Sequence, residues 1–360
     1  MKIVIDARTL GSKPSGIGIY AYHFLCGLLS DYEVILVTDV ATSSEMQELR
    51  KKNVRIIEYG KVVYRSTAVF SYFRFVRKIL REIQPELFWE PNILIPIPLT
   101  GFSGKSIITI HDMFPVTMPQ YFGWKYSHYF RYMLKKTIRR TDMILYNSEE
   151  TKKDAEAFDA KAAAVENHVL YIIVPEVHYD GPIRDDNYFL YVGNVEKRKG
   201  VDILIRAFDR YVQAGGTKNL VIAGKKREQD VDDMLSDLVK KYPDRVTYKG
   251  YVTDAEKNDL YARSSAVLFQ SRAEGFGICA LEAMSFKKPV LASDLSIFSE
   301  TVGDAIRYFP LSGGEAALCD AMLKMTFDIE EEKYKAAMMR FYPETLIPRL
   351  KEILDRAGKK

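Results

Sequence analysis

Short apolar runs rich in β-branched residues alternate along this chain with stretches whose apolar positions recur at i, i+3 and i+4. That alternation is expected of parallel sheets covered by helices on both faces. In the first half the pattern predicts strands at 2–7, 33–37, 55–59, 86–90, 106–112 and 143–148. In the second half it predicts them at 188–193, 219–224, 245–250, 266–271, 288–294 and 305–309. Six and six make an α/β protein of two doubly wound, Rossmann-like domains. Val174-Pro175 and the stretch from Gly181-Pro182 to Asn187 have the Pro, Gly and Asp content of a linker. The expected layout is a first domain over 1–174, a linker over 175–187, a second domain over 188–341 and a C-terminal helix over 342–360. That helix carries Leu346, Leu350 and Leu354 on one stripe, and its expected packing is a return to the first domain.

Length and composition agree with two cores, at 360 residues of which 47% are hydrophobic. Cys26, Cys279 and Cys319 have neither metal-type spacing nor the even number of a disulfide framework, so a reducing compartment is expected. The opening run Ile3-Val4-Ile5 is too short for an export signal, and the densest apolar stretch, 88–99, is broken by Glu90 and several prolines. A cytoplasmic location follows as the expectation.

Charge changes the picture locally. The net charge is only +4, yet residues 61–140 hold thirteen Lys and Arg against four acids, a net +9, leaving −5 for the rest. Aromatic residues interleave with these cations over 64–78 and 121–132. Such a surface suits the face of an anionic membrane, rings at headgroup depth and cations toward lipid phosphate. The alternative is a pair of helices whose rings face the core and whose cations are merely solvated. No nucleic-acid partner is expected, because no RNA-binding motif accompanies the stretches.

Candidate chemistry concentrates in Glu274-Gly275-Phe276-Gly277-Ile278-Cys279-Ala280-Leu281-Glu282-Ala283-Met284, directly after the predicted strand 266–271. Gly275 and Gly277 flank Phe276 at a strand-to-helix turn, where backbone N–H groups and the helix dipole favour an anion. Glu282, eight positions after Glu274, falls about two turns into a helix that begins near Gly277, where its carboxylate can accept from vicinal hydroxyls. A second basic turn, Asn194-Val195-Glu196-Lys197-Arg198-Lys199-Gly200, follows the strand 188–193. Arg198 and Lys199 offer a planar fork and a point charge to a diphosphate. His111 and Asp112 close the strand 106–112 at its carboxyl end, where open α/β sheets bind ligands.

The run from Glu274 to Met284 resembles the Glu-x7-Glu signature of glycosyltransferase family 4, usually Glu-Gly-Phe-Gly-Leu-Pro-x-x-Glu-Ala-Met. Here Ile278-Cys279 stands where Leu-Pro is common. The resemblance implies a GT-B fold, two Rossmann-like domains facing a central cleft, and retaining transfer of a hexosyl group from a nucleotide-diphosphate sugar. It implies that Glu282 holds the ribose hydroxyls and that Glu274 lies near the transferred sugar. It places Arg198 and Lys199 on the donor phosphates, beside Asn194, where many members carry Arg. It further places Tyr251 and Val252 against the nucleobase, with ordinary core or rim packing as the alternative. Gly16-Ile17-Gly18 resembles the family's N-terminal Gly-rich loop on the donor diphosphate, and His111 stands where a family His contacts the donor sugar. His23, His128, His168 and His178 lack such a context and are expected to be structural.

No cofactor and no metal is expected. Asp230-Val231-Asp232 lies in a charged helical segment rather than after a strand, so departure of the diphosphate would rest on Arg198, Lys199 and helix N-termini. The acceptor implied is a saccharide or lipid-linked saccharide, and the nearest likeness is to bacterial mannosyl- or rhamnosyltransferases of surface polysaccharide assembly. Two alternatives share the architecture: a nucleotide-sugar epimerase, and a silent partner subunit that binds nucleotide sugar without transfer.

Overall fold

The computed structural model describes residues 1–63, 66–92 and 96–359. Tyr64 and Arg65, at the head of the first aromatic-basic stretch, and Ile93, Leu94 and Ile95, inside the apolar run 88–99, lie outside the described residues. Two compact units form, one from Met1–Ile173 with Phe341–Lys360 and the other from Val174–Arg340.

The first unit is built on a seven-stranded, all-parallel sheet of β1 (Lys2–Asp6), β2 (Glu33–Thr38), β3 (Arg55–Glu58), β4 (Leu87–Glu90), β5 (Lys105–Ile110), β6 (Met143–Tyr146) and β7 (Glu166–Val169). Its spatial order is β3-β2-β1-β4-β5-β6-β7. Alternation along β1 sends Ile3 and Ile5 to one face, where they meet Phe24 and Leu28 of the helix Gly16–Leu28 and Leu346, Leu350 and Leu354 of the helix Pro343–Lys359. Val4 faces the other way, into a core with Val37, Phe88 and the helix Ser66–Ile83. The expected six strands are thus seven. β7 escapes the pattern because Glu166, Asn167 and His168 make a half-exposed sheet edge with no apolar run.

Six parallel strands make the second unit: β8 (Tyr188–Val192), β9 (Asn219–Ala223), β10 (Val246–Gly250), β11 (Ala266–Phe269), β12 (Val290–Ser293) and β13 (Arg307–Phe309). Their order is β10-β9-β8-β11-β12-β13. Several strands stop short of their predicted carboxyl ends. His111, Gly193 and Ser271 fall past the last strand residue, so the candidate side chains belong to loops carried by the sheet rather than to the sheet.

The two aromatic-basic stretches resolve differently. In the helix Ser66–Ile83 the rings of Tyr72 and Phe73 are buried with Val76 and Leu80, while Arg74 and Lys78 are exposed, so this stretch takes the core-facing alternative. In the helix Trp124–Ile138 it is Leu134, Thr137 and Ile138 that are buried. There Trp124 is 68% exposed and Tyr132 54%, with Tyr126 and Tyr129 exposed as well.

Candidate active site

Strand order in the second sheet reverses between β8 and β11, and both loops singled out by sequence leave the carboxyl ends of these two strands. After β8 the chain passes Asn194, makes a 3-10 turn at Lys197–Lys199 and enters the helix Val201–Gln213. After β11 it passes Ser271 to Gly277 and enters the helix Ile278–Ser285. Backbone and side chains lace the loops together. The Arg272 N–H donates to the Arg198 carbonyl at 2.8 Å, Gln270 donates to the Lys199 carbonyl at 3.1 Å, and Arg198 Nη1 donates to the Ala273 carbonyl at 3.1 Å. Arg272 also grips the buried Asp202 carboxylate with two bonds of 2.6 and 2.8 Å, a bidentate pair that fixes its loop to the first turn of the helix Val201–Gln213.

This lacing brings Arg198, Lys199 and Glu274 together. Lys199 Nζ lies 2.6 Å from Glu274 Oε2, and the Ser271 hydroxyl donates to Glu274 Oε1 at 2.5 Å. Burial pushes the Glu274 carboxyl up. The charge and hydrogen bond of Lys199, the Ser271 hydroxyl and the charge of Arg198 outweigh burial and hold it below the usual carboxylate range. Arg198 is steadied from below by Glu196 at 2.6 Å. Asn194 is half-buried, and its carbonyl accepts from the Tyr191 hydroxyl at 2.8 Å.

Gly275 and the buried Phe276 carry the chain into Gly277, which caps the helix with φ +80°. A Cβ at Gly277 would lie 2.6 Å from the Phe298 ring, so only glycine fits this turn. Glu282, on the same helix, accepts from Lys257 Nζ at 3.0 Å on one oxygen and from the Tyr261 hydroxyl at 3.1 Å on the other. Burial works against the Lys257 charge, but Glu282 and Asp254 win and push its pKa up to about 12. Tyr251 follows β10 and is 72% exposed, with the Lys225 ammonium 4.4 Å above its ring, while Val252 is half-buried.

In the first unit, Gly16 and Gly18 form the opening turn of the helix Gly16–Leu28 rather than a free loop. Ser15 caps that turn by accepting from the Gly18 N–H at 3.2 Å. A Cβ at Gly18 would sit 2.2 Å from the Thr9 carbonyl oxygen, so glycine is needed there for close packing, whereas Gly16 faces open space. His111 stands just past β5, its ring edge-on to Tyr20 and its Nε2 2.8 Å from the Pro91 carbonyl. A carbonyl only accepts, so Nε2 carries the hydrogen and Nδ1 keeps its lone pair. Burial lowers the imidazole pKa to about 4, against the opposing pull of Pro91.

Residues 14–169 match the model of Glycosyltransferase Family 4 and residues 177–326 that of Glycosyl transferases group 1, which together take in most of the chain. The chain belongs to these glycosyltransferases. It is 25% identical over 319 residues to the O-antigen chain mannosyltransferase RfbU of Salmonella typhimurium, covering 85% of this chain and 86% of that protein. It is 27% identical over 343 residues to O-antigen chain mannosyltransferase B of Escherichia coli, covering 85% of each. Among solved structures, HepE of Anabaena in complex with UDP and glucose shares the fold with a TM-score of 0.75. It is 17% identical, with 99% of this chain and 100% of that one covered.

In this glycosyltransferase several residues of the candidate site were not singled out from sequence. Arg272, Asp202 and Ser271 order the loops around Glu274, and Lys257 and Tyr261 orient Glu282. A signal for the last two existed: they stand four apart on the helix Asp254–Arg263, whose start is marked by the capping box of Thr253 and Glu256. The Asp230 and Asp232 pair sits in the first turn of the helix Gln229–Lys241, where Asp230 pairs with Lys197. Among the described residues no group of three or more His, Cys, Asp or Glu side chains is arranged to hold a metal ion.

The state of His111 yields a pH prediction. An ordinary histidine changes charge near pH 6.5. His111, depressed to about 4, stays neutral throughout the neutral range, so the turnover ratio of wild type to His111→Asn is expected to be flat between about pH 5.5 and 8. A step in that ratio near the ordinary histidine value would show that His111 titrates during catalysis.

Proposed function

We propose that this glycosyltransferase moves a hexosyl group, with retained configuration, from a nucleotide-diphosphate sugar to a saccharide or lipid-linked saccharide acceptor during synthesis of a bacterial surface polysaccharide. Mannose is the sugar we favour, on the strength of the mannosyltransferase relatives, with rhamnose next. The observation that carries the proposal is the ordered trio of Arg198, Lys199 and Glu274 at the switch point between β8 and β11. A guanidinium and an ammonium held there before bond cleavage stabilise the diphosphate as negative charge develops on it, without a metal. Glu282, with one donor on each oxygen, keeps lone pairs for two vicinal hydroxyls, as a ribose presents. His111, neutral and with Nδ1 free, accepts from a hydroxyl of the transferred sugar. The test is release of nucleoside diphosphate from GDP-mannose, dTDP-rhamnose, UDP-glucose and UDP-galactose. Turnover of GDP-mannose above the others is expected. Conversion of a donor to its epimer without release would point to the epimerase alternative, and silence with every donor to a non-catalytic subunit.

The acceptor side extends the proposal to the inner face of an anionic membrane. No described helix is long and apolar enough to cross one. The helix Trp124–Ile138 instead presents Trp124, Tyr126, Tyr129 and Tyr132 beside Lys125, Arg131, Lys135 and Lys136, with no acid in its sequence. Each cation near an anionic surface contributes about 1 kcal/mol, screened by salt, while inserted rings keep a residual affinity. Liposomes rich in phosphatidylglycerol are expected to pellet the wild type at low salt. Changing Lys125, Arg131, Lys135 and Lys136 together to Ser should reduce this to the residual affinity of the rings, and changing Arg74, Arg77 and Lys78 to Ser should leave it intact. Equal, negligible pelleting of all three proteins would favour a soluble acceptor.

A further inference from the structure

Asp6 and Glu90 close the carboxyl ends of β1 and β4, the strands between which the first sheet reverses its order. Open α/β sheets bind ligands at such a reversal. The pairing of Ile5 with Trp89 sets the next residues, Asp6 and Glu90, side by side. Alternation turns both toward the face of Val4 and Phe88, under the helix Ser66–Ile83. Asp6 is 3% exposed and Glu90 5%. Two ionised carboxylates do not share so dry a place. Burial first, and the charge of Asp6 second, hold the Glu90 carboxyl well above its usual range, so Glu90 keeps its proton.

Around them, the Tyr72 hydroxyl donates to Asp6 Oδ1 at 2.6 Å and the Arg8 N–H donates to the same oxygen at 3.0 Å. The half-buried Arg8 guanidinium rests on the rings of Tyr72 and Phe73, at 5.8 and 5.7 Å from their centroids. By strict geometry Asp6 Oδ2, both Glu90 carboxyl oxygens and Arg8 Nε have no hydrogen-bond partner, although the Asp6 carboxyl and the Asn92 N–H both lie close enough to Glu90 to act on its proton. One proton shared between the carboxyls satisfies Asp6 Oδ2 and one oxygen of Glu90. The other Glu90 oxygen, approached by the Asn92 N–H, keeps a second lone pair, and Arg8 Nε keeps a donor. A hydroxyl donates once and accepts, so it fits both, whereas an ammonium offers no acceptor and a phosphate dianion offers no donor.

We propose that Asp6, Arg8 and Glu90 form a recognition site for a hydroxyl of an uncharged sugar in the acceptor. This rests on the saccharide acceptor put forward above and assigns residues to it. Movement of Arg8, the member nearest solvent, admits the ligand to Glu90. In Glu90→Gln the amide keeps one donor for Asp6 and one acceptor for the ligand, but in Glu90→Leu both are lost.

Saturation-transfer NMR on the full chain tests this, using the methyl glycosides of mannose, rhamnose, glucose and galactose as probes and GDP and UDP titrated separately. At least one glycoside is expected to bind the wild type. Glu90→Leu should weaken that glycoside by about tenfold or more, with Glu90→Gln near wild type and nucleotide affinity unchanged in both. Should Glu90→Leu fail to fold, Arg8→Met at its half-buried position serves in its place, with the same loss expected. Nucleotide binding without any glycoside binding, or glycoside binding unchanged in the Leu or Met variant, would overturn the proposal and leave the cluster as a buried polar pair around a water. Loss of nucleotide binding from the wild type would strike the donor reading instead.

Discussion

Lys199→Ala is expected to lower turnover by about 10²–10³-fold, the loss typical of removing one preorganised group that meets developing charge. Two effects combine. The leaving diphosphate loses a cation already in place, and Glu274 loses the partner 2.6 Å away that holds its carboxyl low. Burial then dominates and raises the Glu274 pKa, so the variant should also acquire an acid limb at higher pH than the wild type. Lys199→Arg restores the charge but not the fit, because a planar fork cannot occupy the place of a point donor between Glu274 and the phosphates. Steady-state kinetics with the donor the enzyme prefers, at several pH values, provide the check. Turnover within about tenfold of wild type would remove Lys199 from the departure of the diphosphate.

Glu282→Ala should cost about 1–3 kcal/mol in nucleotide affinity, because ribose hydroxyls that lose a charged acceptor go unpaired in the complex. The substitution also strands the buried Tyr261 hydroxyl and takes from Lys257 one of its two carboxylate partners, leaving Asp254, so the whole loss is not the ribose contact alone. Calorimetry with a nucleoside diphosphate and its 2′,3′-dideoxy analogue separates the two. The wild type should discriminate strongly between them and the variant hardly at all. Equal discrimination by both proteins would take the ribose away from Glu282.

How far the sequence carries depends on whether the relevant residues are neighbours in it. The strands were legible because β1, β4, β8 and β11 are apolar runs bounded by turn residues, and the loop from Glu274 to Gly277 was legible because its residues are contiguous. β7 was not, since its polar edge has nothing apolar to repeat. The bidentate pair of Arg272 with Asp202 joins residues 70 apart and leaves no local trace. The two aromatic-basic stretches have one composition and opposite outcomes. Tyr72, Phe73, Val76 and Leu80 fall on one stripe and sink into the core, whereas in the helix Trp124–Ile138 the buried stripe is made by Ser127, Leu134, Thr137 and Ile138, Phe130 packs against the core, and the rings of Trp124, Tyr126, Tyr129 and Tyr132 are left outside. Gly18 is ambiguous in sequence for a similar reason. A Gly-x-Gly pattern does not say whether the missing Cβ makes room for a ligand or, as here, for the Thr9 carbonyl. Asp6 and Glu90 did leave a trace, an acid at the end of each of two apolar strands, which gains its meaning only when β4 is seen to lie beside β1.

In the function proposed here, a cationic turn and its paired glutamate release a nucleoside diphosphate from a sugar, with retained configuration and without a metal. Proton NMR of GDP-mannose incubated with the enzyme in excess EDTA follows both products from the first turnovers. The expected result is GDP accompanied by the α anomer, whether the sugar goes to an acceptor or to water, at a rate that chelation leaves unchanged. The β anomer appearing first, or turnover that stops in EDTA and returns with Mg²⁺ or Mn²⁺, would contradict it.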